Sequence, residues 1–244
     1  MNKYMNLIGI KARKASAKKI NTAIKNKVLN NYADLLAKEK KSILRENIKD
    51  VKFSKNRGLK ENLINRLCIN EEKIKEIINS INKISKLKDP VNVSLKKWNR
   101  PNGLNINRVS IPIGVIGVIY ESRPNVTSDV SSLCFKSGNA VILKGGSEAI
   151  NTNRILAKLF RKALMKNNVD ENFIQFIDSK KRKMVDIMLS KMKNYIDVII
   201  PRGGKNLVKR VQEFSKIPVI GHLEGLCHTF IDKDAELKMA IDIV

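Results

Sequence analysis

Apolar side chains recur every three or four residues from Asn6 to about Lys88, as at Val28, Tyr32, Leu35 and Leu36, and this spacing predicts a succession of amphipathic helices. Asn56-Arg57-Gly58 reads as a break between two of them. Asn70 reads as an N-cap, because Glu71 and Glu72 follow it ahead of Ile74, Ile77, Ile78 and Ile81, and acids favour the positive end of a helix. Asp89-Pro90 ends the helical stretch. Between Val93 and Ile111 the period shortens to two around Asn102-Gly103, which predicts a two-stranded ribbon. A lone ribbon is marginal in water, so it is expected to pack on another element or subunit.

After Pro112 short apolar runs alternate with helices. Strands are expected at Ile113–Tyr120, Ala140–Leu143, Phe173–Ile177 and Ile196–Ile200. Helices are expected at Asn125–Lys136, Ser147–Asn167, Arg182–Lys191 and Gly204–Phe214. Near-continuous apolar strands separated by helices predict a parallel sheet covered on both faces, a doubly wound α/β layer. Short strands at Pro218–Ile220 and His228–Ile231 and a helix from Asp234 complete the pattern. The expected organisation is residues 1–92 as a helical segment of a nucleotide-binding domain, 93–111 as a ribbon serving as an oligomerisation arm, and 112–244 as an α/β nucleotide-binding domain.

Composition narrows the class. With 43% hydrophobic and 29% charged residues the chain is globular in character, and no apolar run approaches the length of a membrane span. The N-terminus interleaves Lys and Arg with apolar residues and has no signal-peptide core, so a cytoplasmic protein without a membrane partner is expected. Three dispersed cysteines fit neither a disulfide framework nor a paired-cysteine metal site. His222 and His228 flank Cys227, but that cysteine lies between Leu226 and Thr229-Phe230-Ile231 and reads as a small buried hydrophobe, so no metal is expected. The net charge of +25 has the sign of a polyanion binder, yet the lysines form no stripe and accompany many Asn and Ile residues. All three have A- and T-rich codons, so codon bias accounts for the charge without a specific nucleic-acid partner.

Ligands of open parallel sheets bind beyond the carboxyl ends of the strands. Those ends read Tyr120-Glu121-Ser122-Arg123-Pro124-Asn125, Lys144-Gly145-Gly146-Ser147-Glu148 and Pro201-Arg202-Gly203-Gly204. No G-x-G-x-x-G follows the first strand. Gly203 and Gly204 instead open a helix, where a bare backbone and free N–H groups suit a phosphate, with Lys144 and Glu148 near enough in sequence order to hold ribose hydroxyls. A plain tight turn is the competing reading for either glycine pair.

The run Ile113–Thr127, the run Leu133–Ala149 and Tyr195–Gly204 resemble the gamma-glutamyl phosphate reductases of the aldehyde dehydrogenase superfamily, as do Trp98–Gly103 and Pro218–His222. The resemblance implies an aldehyde-dehydrogenase-like α/β fold, NADP(H) as cofactor, and reduction of L-glutamyl 5-phosphate to L-glutamate 5-semialdehyde in proline synthesis. It also implies a homo-oligomer in the complete enzyme, with glutamate 5-kinase as a candidate partner. By the same resemblance Asn125 matches the oxyanion-hole asparagine. Lys144, Ser147 and Glu148 fall in the adenine-ribose segment and Gly203-Gly204 in the pyrophosphate turn. His222 lies where hydrolytic relatives carry a glutamate that activates water, and a packed or capping histidine is the alternative. Arg123 is a candidate for a substrate carboxylate or acyl phosphate, and an ion pair with Glu121 or another nearby acid the alternative.

The nucleophilic cysteine of these reductases belongs to a segment beyond the stretch that matches Ala235–Val244. Cys227 matches a different cysteine and Cys134 lies in a helix that resembles a structural one, so the nucleophile is expected to be absent and the catalytic lobe largely missing, with apolar surface left exposed. The chain alone is then expected to lack reductase activity. It would be a fragment, a decayed reading frame, or the non-catalytic nucleotide-binding subunit of a split enzyme.

Overall fold

The computed structural model describes residues 2–221 and 228–244. Five helices come first: α1 (Lys3–Ser16), α2 (Thr22–Lys38), α3 (Lys40–Asn56), α4 (Glu61–Leu67) and α5 (Glu71–Lys86). Asn70 caps α5 as expected, its side chain accepting the Lys73 N–H at 2.8 Å, and α5 buries the stripe Ile74, Ile77, Ile81 and Ile84. The antiparallel ribbon follows as β1 (Ser94–Asn99) and β2 (Asn105–Val109), with Trp98 opposite Ile106. It leaves Leu95, Trp98, Leu104 and Val109 exposed.

The remaining strands, β3 (Val115–Tyr120), β4 (Ala140–Lys144), β5 (Ile174–Phe176) and β6 (Val198–Arg202), form one parallel sheet in the order β5-β4-β3-β6. Every residue of β3 and β4 is buried, which explains their unbroken apolar runs. Helices α6 (Asn125–Lys136) and α7 (Ile150–Lys166) lie together on the sheet, with α2, α3 and α5 packed outside them. Helices α1, α8 (Lys183–Lys191) and α9 (Lys205–Phe214) make the second group. Side chains from α1, α2, α3 and α5 and from the sheet join a single apolar cluster.

Two buried polar links fix the position of the sheet-end turns. Asp50 of α3, 2% exposed, accepts the Thr152 N–H and hydroxyl, both at 2.7 Å, and so caps α7. Tyr120, the last residue of β3, bonds the Thr127 hydroxyl at 2.7 Å, and Thr127 donates to Asn153 at 3.0 Å, tying the start of α6 to α7.

Several boundaries differ from the expected ones. Gly114 leaves the first strand because its φ of 124° places it outside the β region. Ser147–Ala149 is a short 3-10 turn ahead of α7, and the final helix, α10 (Leu237–Ile243), starts at Leu237 instead of Asp234. Pro218–Ile220 reduces to one parallel bridge between Val219 and Ile199. His228–Ile231 is not a strand: it is exposed, with Phe230 at 86%, and nothing among the described residues offers it a ladder partner. Alternation of apolar residues permits a strand, but only pairing makes one. Apolar exposure continues along α10 at Leu237, Met239, Ile241 and Ile243, in line with the expectation of uncovered apolar surface. Among the described residues no helix is long and apolar enough to cross a membrane.

Candidate functional site

Strand order locates the site. The chain runs outward from β3 to β4 and β5 and then returns to place β6 on the other side of β3, so the order reverses between β3 and β6. Adjacent strands send their following turns apart at such a point and leave a crevice for a ligand. Tyr120 pairs with Arg202 and Ile119 with Lys144, so all three chemically distinctive turns leave the sheet at the same edge.

A cavity of about 180 Å³ opens at this reversal, lined by Glu121, Ser122 and Arg123 after β3, by Arg202, Gly203 and Gly204 after β6, and by Leu63 and Arg66 of α4. Arg66, Arg123 and Arg202 therefore surround one small space at the N-terminus of α9, whose first N–H groups lack intrahelical partners. This arrangement suits an anion. The anion now there is internal: Glu121 Oε2 accepts the Gly204 N–H at 2.9 Å. A Cβ on Gly203 would come within 2.5 Å of the same carboxylate oxygen and 2.7 Å of the Leu207 side chain, so a residue larger than glycine there would displace both side-chain ends. The alternative of an Arg123–Glu121 ion pair does not hold among the described residues, because the carboxylate is turned to the α9 backbone.

The β4 turn is less open than expected. Lys144 is 5% exposed and its ammonium donates to the Gly145 carbonyl at 2.6 Å. Burial lowers its pKa, with Glu148 pulling the other way. Glu148 folds back on the β3 turn, its Oε1 accepting the Ser122 N–H at 2.8 Å and the Ser122 hydroxyl at 2.9 Å. Its Oε2 has only a long contact of 3.5 Å with the Ser147 hydroxyl and is the oxygen left for a ligand. The glycine at 145 is explained by packing, since a Cβ there would meet Asn153 at 2.2 Å and the Tyr120 ring at 3.0 Å.

Asn125 opens α6 and is exposed at the edge of a second cleft, about 270 Å³, which shares Arg66 with the first and also holds Cys68, Lys73, Glu76, Ser80 and Asp129. Its Nδ2 donates to Asp129 Oδ2 at 3.1 Å, one turn along the helix. That bond fixes which end of the amide faces the carboxylate and leaves a second N–H for another acceptor. Burial raises the Asp129 pKa, against hydrogen bonds from Asn125 and Ser80 that lower it.

The structure thus brings Arg123, Asn125, Ser147, Glu148, Gly203 and Gly204 to one edge, and buries Lys144 beneath it. His222 and Cys227 lie outside the described residues. Cys134 is buried within α6 and its thiol is pushed up to about 12 by desolvation, as expected of an inert structural cysteine. Among the described residues no cluster of metal-ligating side chains forms. Sequence reasoning did not single out Arg66, Asp129 or Glu121 as site residues. Arg202 and Glu121 were visible in the strand-end turns, whereas Arg66 arrives from a helix far away in sequence and carries no local signal.

Residues 8–244 match the Aldehyde dehydrogenase family. The chain is 43% identical over 246 residues to the gamma-glutamyl phosphate reductase of Clostridium tetani, an alignment that takes in 100% of this chain and 57% of the relative. Among solved structures it is similar to gamma-glutamyl phosphate reductase from Thermotoga maritima, with a TM-score of 0.91 and 38% identity over 98% of this chain and 58% of that one. The Saccharomyces cerevisiae reductase gives a TM-score of 0.82 at 33% identity, over 97% and 60%. A propionaldehyde dehydrogenase from Clostridium phytofermentans, at 18% identity and a TM-score of 0.67, shares the fold. The chain spans somewhat more than half the length of these reductases. With the family model matched over residues 8–244, this chain belongs to the aldehyde dehydrogenase family.

Proposed function

We propose that this chain supplies the nicotinamide-nucleotide-binding part of a gamma-glutamyl phosphate reductase, acting in the NADPH-dependent reduction of L-glutamyl 5-phosphate to L-glutamate 5-semialdehyde and phosphate. The observation that carries the reading is the juxtaposition of an anion cradle at the β3/β6 reversal with Asn125 on the adjoining edge. The cradle fits a pyrophosphate: Arg66, Arg123 and Arg202 neutralise it, the α9 N-terminus donates to it, and Gly203 lets it approach the backbone. Glu148 Oε2 is the acceptor available to a ribose hydroxyl. Bound NADPH supplies the hydride, and everything else at this edge is positioning and charge stabilisation.

The reaction passes through a carbonyl whose oxygen gains negative charge. The free N–H of Asn125 is a preorganised donor for that oxygen, and such a donor contributes on the order of 3 kcal/mol in acyl-transfer enzymes. By the resemblance the attacking group is a cysteine thiolate. Cys134 cannot serve, because burial holds it protonated. The second reading, a non-catalytic nucleotide-binding subunit of a split enzyme, rests on the resemblance, in which neither Cys134 nor Cys227 matches the nucleophile. Preference for NADPH over NADH, a homo-oligomer built through the β1–β2 ribbon, and association with glutamate 5-kinase are carried by the resemblance alone, and a cytoplasmic location by the N-terminal sequence pattern.

The test is an assay of the purified chain with semialdehyde, phosphate and NADP⁺ beside a titration with NADPH and NADH. The proposal expects NADPH to bind more tightly than NADH, with no NADPH produced until a chain bearing the nucleophile is added. Tighter NADH binding contradicts the cofactor assignment, and turnover by this chain alone contradicts the missing thiolate.

A further inference from the structure

We infer that the groove between α3 and α7 is a docking site for an acidic amphipathic helix of a partner protein. The groove is a cavity of about 660 Å³ and shares no lining residue with the two clefts at the sheet edge. Its long wall is α7, whose contributions from Asn151 to Met165 follow the three- and four-residue spacing of a helix–helix seam. That stretch spans about 21 Å, the length of a second helix of about 14 residues. The opposite wall is the start of α3. Between the walls the surface is apolar: Leu159 is buried, Ile155 is partly buried and Met165 is 52% exposed. Methionine adapts to differing partners, and the stems of Lys158 and Lys162 add aliphatic surface.

Charge selects the partner. Helix α7 carries five cations and no acid. Arg154 is held by Asp178 at 2.7 Å and Arg161 by Glu171 at 3.0 Å, but Lys158, Lys162 and Lys166 have no carboxylate partner among the described residues. These three stand four residues apart, about 6 Å, and like charges at that interval repel. The row is a stripe that the even spread of lysines along the sequence conceals. Two acids also line the groove, yet neither answers it: Glu46 is taken by Lys49 at 2.6 Å, and Glu39 accepts the Ser42 hydroxyl at 3.0 Å. Arg45, 3.8 Å from Glu46, adds a cation on the opposite wall.

A helix with carboxylates at four-residue intervals beside an apolar stripe satisfies both features. Its acids meet the lysine row while its apolar side chains cover Ile155, Leu159 and Met165. A nucleic acid fits less well, because no aromatic side chain lines the groove for base stacking. A single small anion would leave most of a row about 12 Å long unanswered.

The experiment titrates the full 244-residue chain with two labelled peptides of about 15 residues, long enough to form a helix on binding. Both hold the same Glu and Leu residues; one sets the leucines on a single helical face and the other scatters them. By fluorescence anisotropy the amphipathic peptide is expected to bind at least about tenfold more tightly than the scattered one. Lys158→Gln with Lys162→Gln is expected to remove that advantage while leaving the scattered peptide within about twofold. Both lysines are exposed, so the core is untouched. The same loss of charge at two exposed positions of α1, Lys11→Gln with Lys14→Gln, is expected to change neither peptide by more than about twofold. Amide shifts in the wild type are expected at residues 39–46 and 151–166. Equal binding of the two peptides, equal weakening by the α1 variant, or shifts elsewhere overturns the inference. So does tighter binding of an oligothymidylate of equal charge at the same residues, which assigns the groove to nucleic acid. A dimer in sedimentation that the Lys158 and Lys162 substitutions dissolve also overturns it, by assigning the groove to a second copy.

Discussion

Glu121→Gln should tighten the binding of NADPH. The Glu121 carboxylate now occupies the α9 N-terminus through the 2.9 Å bond from Gly204, the position a pyrophosphate would claim. A hydrogen bond to a charged acceptor is worth about 1.5–3 kcal/mol, and a negative charge at a helix N-terminus about 0.3–1 kcal/mol. Glu121 is exposed, so solvent screening reduces both, and about 1–2 kcal/mol is a fair sum for the contact. A ligand displacing it must overcome that amount together with the repulsion between carboxylate and phosphate. Gln keeps the shape and an acceptor oxygen but removes the charge, so the dissociation constant of NADPH should fall about 5- to 30-fold. Isothermal titration against NADPH, inorganic pyrophosphate and adenosine separates the causes: the first two should tighten together and adenosine should not change. Unchanged pyrophosphate affinity, or weaker NADPH binding, would show that Glu121 does not compete for the cradle and would refute the reasoning.

Other outcomes follow from the same contacts. Gly114→Ala should destabilise the fold by roughly 3 kcal/mol or more in urea unfolding, because Gly114 has a φ of 124° and a Cβ would lie 2.3 Å from Asp197, which pairs with Arg13 at 2.8 Å and accepts the Val115 N–H. Asp89→Asn should lower stability by about 3–5 kcal/mol, since Lys25, 2% exposed, has Asp89 as its ion-pair partner. Burial works to raise the Asp89 pKa, but hydrogen bonds from Lys25, Thr22 and Val91 outweigh it and the net shift is downward. The stability it contributes is thus present above the unfolded-state pKa and lost as pH falls through the lower folded value. The wild type should therefore lose stability steeply on acidification where Asp89→Asn does not, and parallel curves would contradict the assignment. Iodoacetamide should label the exposed Cys68 in the native state and Cys134 only after unfolding; equal rates would show that the α6 core opens readily.

The sheet was legible because its strands are buried on both faces. Val115–Tyr120 and Ala140–Leu143 must then be apolar throughout, and Gly114 and Asn139 mark where they begin. The ribbon was legible from Asn102-Gly103, whose glycine has a φ of 85° that few other residues accept. Pairing was not legible. Phe173–Ile177 and His228–Ile231 both read as strands, yet the first lies against β4 and the second has no strand partner among the described residues. The turns that hold the candidate cradle could be ordered from sequence, since residues at strand ends in a parallel sheet share an edge. Their side-chain commitments could not. Lys144 reads as a ligand until burial turns it to the Gly145 carbonyl, Glu148 until Ser122 takes one of its oxygens, and Arg66 joins the site only because α4 packs over it. Such contacts depend on tertiary placement across tens of residues and leave no periodic trace.

The direct measurement of the central claim is an amide-resolved NMR titration of this chain with NADPH. The account predicts saturable binding with the largest shifts at Glu121–Arg123 and Arg202–Lys205, where the order of strands reverses and α9 begins. Saturable binding whose shifts fall elsewhere, or no binding at all, would contradict it.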